Sequence, residues 1–254
     1  MNYRFSLKHF MLPALEKAGF SFSVIGKNDF CFKNKIGTRQ ILVDTGRFYP
    51  HALRIAYQVT GQCYFRFMLN EIDPQFFPVA NETYRTEEDL AEYLQKVARG
   101  TVQIILPYLD IMEENYIEYD DSLSLQMAFD IQARIKRFRE KWKIDLLHDP
   151  VCLKKLDTIM DTMRTTISNR KADFKRHQEE FLDLTAFYGE LLNAESETAG
   201  MWTWREVDPG HPEYVVGPTR YNPLRRTILA WNFGPEVAQY SLQGYHLKVE
   251  VNQG

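Results

Sequence analysis

Residues 20–33 read FSFSVIGKNDFCFK, and their alternation decides the first half of the chain. Phe20, Phe22 and Val24 fall on one face of a strand, Gly26-Lys27-Asn28-Asp29 supplies turn residues, and Phe30 and Phe32 repeat the apolar face. Three more segments read as strands: TRQILVD (38–44), LRIAYQV (53–59) and CYFRFML (63–69). Their short connections favour an antiparallel meander. Before the hairpin, Leu7, Phe10, Met11, Ala14, Leu15 and Ala18 follow helical spacing, and Gly19 suits a left-handed stop. After the strands, Asp73, Pro74 and Pro78 mark a loop, and Thr86-Glu87-Glu88-Asp89 forms a capping-box start for a helix carrying Leu90, Leu94 and Val97. Pro107 is expected to kink or divide that helix. Residues 1–121 thus read as a two-layer α+β domain, an antiparallel sheet with flanking helices.

The middle of the chain changes punctuation. Neither Gly nor Pro occurs over residues 108–149 or 151–188, so residues 122–195 read as a long helical hairpin. Leu123, Met127, Ile131, Ile135, Phe138 and Trp142 share one helical face, and Asp149-Pro150 ends that helix and starts the next. A 3-4 spaced seam then runs through Leu153, Leu156, Met160, Met163, Ile167, Arg170, Phe174, His177, Phe181, Leu184, Tyr188 and Leu191. Such a surface must pack on the preceding helix, on the rest of the chain, or on a second copy. Residues 196–254 concentrate Gly and Pro and read as a small β-rich segment, with strands at 224–232, 236–241 and 245–251. Asn232-Phe233-Gly234-Pro235 and Gln243-Gly244 are the expected turns.

Composition bounds the class of protein. With 31 Lys+Arg against 34 Asp+Glu the net charge is −3, which argues against nucleic-acid binding driven by overall charge. Cys31, Cys63 and Cys152 are odd in number and far apart, pointing to reduced thiols. No apolar run approaches the ~20 residues of a membrane span, and the expectation is a soluble cytoplasmic protein with no membrane partner.

The order of a helix ending in Gly19-Phe20, a Phe-rich antiparallel sheet, and a helix carrying IILPYLD (104–110) resembles a bacterial family of domains of unknown function. The resemblance covers residues 5–115. It implies a helix–antiparallel sheet–helix fold and brings no catalytic residue with it.

Candidate chemistry is sparse. Ile41-Leu42-Val43-Asp44-Thr45-Gly46 resembles the active-site triplet of retroviral-type aspartic proteases. Arg47 replaces the small residue expected next, and a guanidinium there would hold the carboxylate ionised. An ordinary strand ending in a turn accounts for the same residues. The histidines (9, 51, 148, 177, 211 and 246) never pair at helical ligand spacing, and His148 with Cys152 falls short of a zinc site. The nucleophile-elbow, dinucleotide, P-loop and zincin motifs are absent. Two basic clusters, Arg134, Lys136, Arg137, Arg139, Lys141 and Lys143, then Arg164, Arg170, Lys171, Lys175 and Arg176, suit phosphates if a hairpin joins them. Trp202, Trp204, Tyr214, Tyr221 and Trp231 read as a small core or a ligand groove, and Asn81-Glu82-Thr83 as a loop. The sequence therefore designates no catalytic residue, no metal ligand and no cofactor. Its leading expectation is a non-catalytic binding or protein-interaction module acting through the seam, as a dimer or a complex through residues 150–192. The alternatives are nucleic-acid binding through the basic helices and a hydrolase with dispersed catalytic residues.

Overall fold

In a computed structural model, which describes residues 2–45, 52–60, 64–77, 81–145, 150–194, 202–208, 211–216 and 221–244, the Phe20–Lys33 alternation closes as a hairpin. Strands β1 (Phe20–Val24), β2 (Asp29–Asn34), β3 (Arg39–Thr45), β4 (Ala52–Val59) and β5 (Phe65–Met68) form an antiparallel meander in sequence order. Cys63, placed in the last strand by the sequence, lies outside the described residues. The meander is followed by α2 (Leu69–Ile72) and by β6 (Asn81–Thr83), which pairs with β4, so the Asn-Glu-Thr triplet is strand rather than loop. The first helix, α1, comprises α-helix Tyr3–Ser6, a π-helical turn Leu7–Met11 and α-helix Leu12–Lys17. Gly19 ends it at φ +86°, the left-handed conformation its sequence position implied. The last helix of this half, α3, comprises Glu87–Gly100, a π-helical turn Thr101–Ile105 and Leu106–Asn115. Its capping box is made: Thr86 Oγ1 accepts from Asp89 N at 3.0 Å and Asp89 Oδ2 accepts from Thr86 N at 3.1 Å.

The sheet register places Phe32, Ile41, Tyr57 and Phe67 in one cross-strand row and Phe30, Val43 and Ile55 in the next. These seven side chains are all buried. Against them pack Leu7, Met11 and Leu15 of α1 and Leu90, Leu94 and Val97 of α3, all fully buried, so the helices cover one face of the sheet. Bidentate bonds from Arg39 to Glu113 (2.7 and 3.0 Å) and an ion pair to Asp110 (2.7 Å) tie the start of β3 to the end of α3.

Where composition divides the chain into three zones, packing divides it into two units, Met1–Glu114 and Asn115–Gly254. The middle and last zones share one core. Helices α4 (Asp121–Ala128), α5 (Ile131–Trp142), α6 (Pro150–Met163) and α7 (Arg170–Ala194) precede a hairpin of β7 (Thr203–Asp208) and β8 (His211–Val215), and α8 (Pro223–Phe233) follows. The architecture is α+β, with an antiparallel sheet, a long helix and a small hairpin toward the C-terminus.

Residues 224–232 are helix, not strand: Asn222 Oδ1 accepts from Arg225 N at 3.0 Å as the N-cap, Pro223 opens the first turn, and Leu224, Ile228 and Trp231 bury one face. The β-branched and aromatic content suggested a strand, but the Asn-Pro start and the spacing obey helical rules. Residues 236–241 contain a 3-10 turn, Ala238–Tyr240, rather than a strand, and Gln243-Gly244 are helical. The segment 245–251 lies outside the described residues.

The seam is divided. Between Met163 and Arg170 a 3-10 turn (Ile167–Asn169) interrupts it, because Thr165 N and Oγ1 both donate to Asp173 Oδ2 at 2.8 Å instead of continuing the helix. Leu153, Leu156, Met160, Met163, Phe174, Phe181, Leu184, Tyr188 and Leu191 are all buried in the core of this unit. Of the three options open to that apolar surface, the described residues show packing on the chain itself. Arg170 and Arg164 cap α8: Arg164 Nη1 donates to the carbonyls of Ala230 (2.5 Å) and Trp231 (2.7 Å), and Arg170 Nη1 to those of Trp231 and Asn232. Asp161 and Glu236 neutralise the two guanidiniums at 2.6 Å each.

Candidate binding groove

The two long helices of the first unit, α1 and α3, change winding at the same sequence feature. The π-helical turn Leu7–Met11 runs into Leu12-Pro13, and Thr101–Ile105 runs into Leu106-Pro107. Proline has no N–H to offer and its ring clashes with the carbonyl four residues earlier. A wider turn just before it relieves that clash and lets the helix continue. Pro107 therefore neither ends nor divides α3; the chain widens instead. π-helical turns of this kind recur at functional sites.

The two turns border one groove. Its α1 wall is His9, Phe10, Pro13, Ala14, Lys17 and Ala18, and its α3 wall is Gln95, Ala98, Arg99, Val102 and Gln103. The cavity volume is about 630 Å³. Ala98 is buried and Phe10, Ala14 and Ala18 are half-buried, so the floor is apolar. His9, Lys17, Gln95, Arg99 and Gln103 are exposed at the rim, with Pro13 and Val102 beside them. The charged groups of this lining are basic, and it contains no carboxylate.

Packing beneath the groove holds its walls in place. Tyr57 of the sheet and Thr101 of the π-helical turn share a buried hydroxyl–hydroxyl bond, and Thr101 Oγ1 also bonds the Val97 carbonyl at 2.8 Å. Burial raises the Tyr57 hydroxyl pKa well above its ordinary value, opposed by the Thr101 bond, so the phenol stays protonated. On the other side of α3, a Cβ at Gly100 would stand 2.3 Å from Phe77 Cζ. Only glycine admits that ring so close to the helix. On α1, His9 stacks on Phe5 at 5.6 Å and meets Phe10 edge-on at 4.8 Å, extending the groove into an exposed aromatic patch in which Phe5 is 61 % exposed.

The other sequence candidates are placed as follows. Asp44 and Thr45 end β3, with Asp44 opposite Asp29 on one side and Arg54 on the other, and Thr45 Oγ1 bonds the Asn28 carbonyl at 3.0 Å. That is a strand end, and Gly46 and Arg47, the rest of this sequence candidate, lie outside the described residues. His177 is half-buried 3.7 Å from Glu180, and His51, His148 and His246 lie outside the described residues. Cys31 and Cys152 are buried thiols outside any disulfide. Among the described residues no group of three or more His, Cys, Asp or Glu is arranged to hold a metal, and no helix is long and apolar enough to cross a membrane.

Most members of the basic clusters meet acids, while Lys143, Lys171 and Lys175 are exposed. Arg134 reaches Glu179 (3.0 Å) and Asp183 (2.9 Å), Arg137 reaches Asp183 (2.7 Å), and Lys141 reaches Glu180 (2.6 Å), forming an ionic zipper between α5 and α7. Arg139 pairs with Asp145 at 3.3 Å and Lys136 with Glu140 at 3.9 Å. A depression of about 510 Å³ at the end of α5 holds these last pairs, so its charges are of both signs. Of the tail aromatics, Trp231 is fully buried, Trp202 packs against the core and stacks on Tyr214 at 5.3 Å, and Trp204 is 45 % exposed.

Sequence reasoning missed the groove. Pro13, inside an otherwise helical apolar pattern, was the available signal, because it matches Pro107 in following a Leu. Compared with protein-family models, curated proteins and solved structures, the chain matches none.

Proposed function

We propose that the chain is a non-catalytic binding protein that docks an acidic amphipathic helix of a partner protein between α1 and α3. The observation that carries this reading is a groove whose floor is apolar and whose rim is basic, with no opposing carboxylate. Each wall spans about nine residues, His9 to Ala18 and Gln95 to Gln103, or about 12–14 Å at 1.5 Å per residue. That length accepts roughly two and a half turns of a third helix, anchored at i, i+4 and i+7. The lining offers an imidazole, two cations and two amides around an apolar floor, a set suited to pairing with carboxylates on a docked helix. The seam over 150–192, the sequence's first candidate for a partner, faces the chain's own core instead.

The test is fluorescence anisotropy with labelled helical peptides of about 14 residues, carrying Leu at the three anchor positions and either Glu or Lys on the flanks. The Glu peptide is expected to bind with a micromolar constant that weakens with salt. Lys17→Glu with Arg99→Glu is expected to weaken it by about tenfold or more and to favour the Lys peptide. Equal binding of both peptides, no binding of either, or an unaffected variant refutes the proposal.

A further inference from the structure

The two edges of the first sheet are built differently. The far edge consists of β5, four residues with Arg66 in it, and β6, three residues reading Asn-Glu-Thr. Short, polar or charged edge strands are the usual protection against pairing with another chain. The near edge, β1, reads Phe-Ser-Phe-Ser-Val, with no charge, no proline and an unbroken register against β2. Ile25 N donates to Asp29 O at 3.0 Å, which fixes the alternation: residues 21 and 23 turn their N–H and C=O toward β2. The N–H and C=O of Phe20, Phe22 and Val24 therefore point off the sheet. Among the described residues no backbone partner meets them.

We propose that β1 pairs antiparallel with β1 of a second copy of this chain, centred on Phe22. The strand is self-complementary about that residue. In this register Phe22 faces the partner's Phe22, Phe20 faces the partner's Val24, and Ser21 faces the partner's Ser23. Apolar meets apolar on the helix-covered side, small polar meets small polar on the other, and neither strand carries a charged residue. Phe20, Phe22 and Val24 then each exchange both of their outward bonds. Phe22 already stands in an aromatic row, stacked on Phe30 at 5.9 Å and tilted on Phe32 at 5.2 Å, and the partner's ring continues it. Lys8 Nζ lies 5.6 Å above the Phe22 ring, so α1 borders the same edge and brings the exposed Phe5, one helical turn before Lys8, to its margin. Val24 (46 % exposed) and Ile25 (56 %) supply further apolar surface there.

The serines make the register testable without touching the core. Ser21→Glu with Ser23→Glu sets like charges opposite each other across the proposed interface, whereas Ser21→Glu with Ser23→Lys sets opposite charges there. Sedimentation over a concentration series of about 1–100 µM is expected to show a dimer for the wild type and the Glu/Lys variant, and a monomer for the Glu/Glu variant. Hydrogen exchange on the unmodified protein is an independent reading: the Phe20, Phe22 and Val24 amides should be protected at high concentration and exposed on dilution. A wild type that stays monomeric throughout, a Glu/Glu variant as dimeric as wild type, or amides indifferent to dilution each overturns the proposal.

Discussion

Gly189 stands in the interior of α7, where alanine is normally worth about 1 kcal/mol more than glycine. Here the sign should reverse. A Cβ at that position would lie 2.1 Å from Trp202 Cη2, 2.4 Å from Cζ2 and 2.8 Å from Pro223 Cγ. Carbon atoms in contact sit about 3.5–4.0 Å apart, so the indole must retreat by more than an ångström. It is held from two sides, stacked on Tyr214 at 5.3 Å and donating Nε1–H to Glu190 at 3.1 Å. Pro223, on the other flank, opens α8 and has no rotamer to yield. Overpacking of this kind costs about 1–3 kcal/mol. Approaches of 2.1 and 2.4 Å place the cost in the upper part of that range, about 2–3 kcal/mol, so after the propensity gain of about 1 kcal/mol Gly189→Ala should destabilise the second unit by roughly 1–2 kcal/mol, lowering its melting midpoint by about 2–8 °C. Urea unfolding followed by far-ultraviolet dichroism measures it. Trp202→Leu removes the clashing ring, so Gly189→Ala made in that background should be neutral or stabilising, a coupling of about 1–3 kcal/mol. Stabilisation by Gly189→Ala alone, or additivity in the double variant, refutes the reasoning.

Phe174 is buried edge-on against Phe181 (5.0 Å) and Trp231 (5.6 Å), so Phe174→Asp should remove at least the 3–5 kcal/mol typical of a lost core ring and unfold the unit. Ile167→Asp, in the half-buried 3-10 turn, should cost only about 1 kcal/mol. Thermal melts decide this, and a folded, smaller species from Phe174→Asp would mean the seam is an interface instead. Burial pushes the Glu213 carboxyl up, but bonds from Arg205 and Arg225 outweigh it and hold the group below the usual carboxylate range. With the folded pKa below the unfolded one, its contribution is complete at neutral pH and disappears as pH falls through the acid range. The stability gap between wild type and Glu213→Gln should narrow from pH 7 to pH 3, and parallel unfolding midpoints across that range would contradict the assignment.

The first unit was legible because its signals are local. Alternation in Phe20–Phe32 and in 38–44 and 53–59, the Gly19 stop and the Thr86 capping box each determine structure within a few residues, and all of them form. The second unit was legible only in part, because there local pattern and tertiary context disagree. The seam keeps its spacing straight through Ile167, yet Thr165, Asn169 and Asp173 bond one another and break the helix. The apolar spacing on both sides survives because both helices line the same core. Leu224–Asn232 shows the reverse failure. Residue types suggested a strand, while the capping residue and the spacing were helical, and long-range capping of the Ala230, Trp231 and Asn232 carbonyls by Arg164 and Arg170 completes the helix.

The same distinction explains why the groove could not be read. Its walls come from the two ends of the first unit, and no local spacing in sequence relates His9 to Val102. Each wall nonetheless carries a local mark, a proline inside a helix, and proline there is normally a loss of about 3 kcal/mol. Pro13 and Pro107 both follow a leucine and a π-helical turn, and both turns border the groove. At both sites a wider turn precedes the proline, and His9, Phe10, Val102 and Gln103 of those turns stand in the groove lining. The charge pattern points the same way: the second unit balances its basic helices with Glu179, Glu180 and Asp183, whereas the groove leaves His9, Lys17 and Arg99 without a carboxylate in its lining. An acidic partner helix would supply those carboxylates from outside the chain.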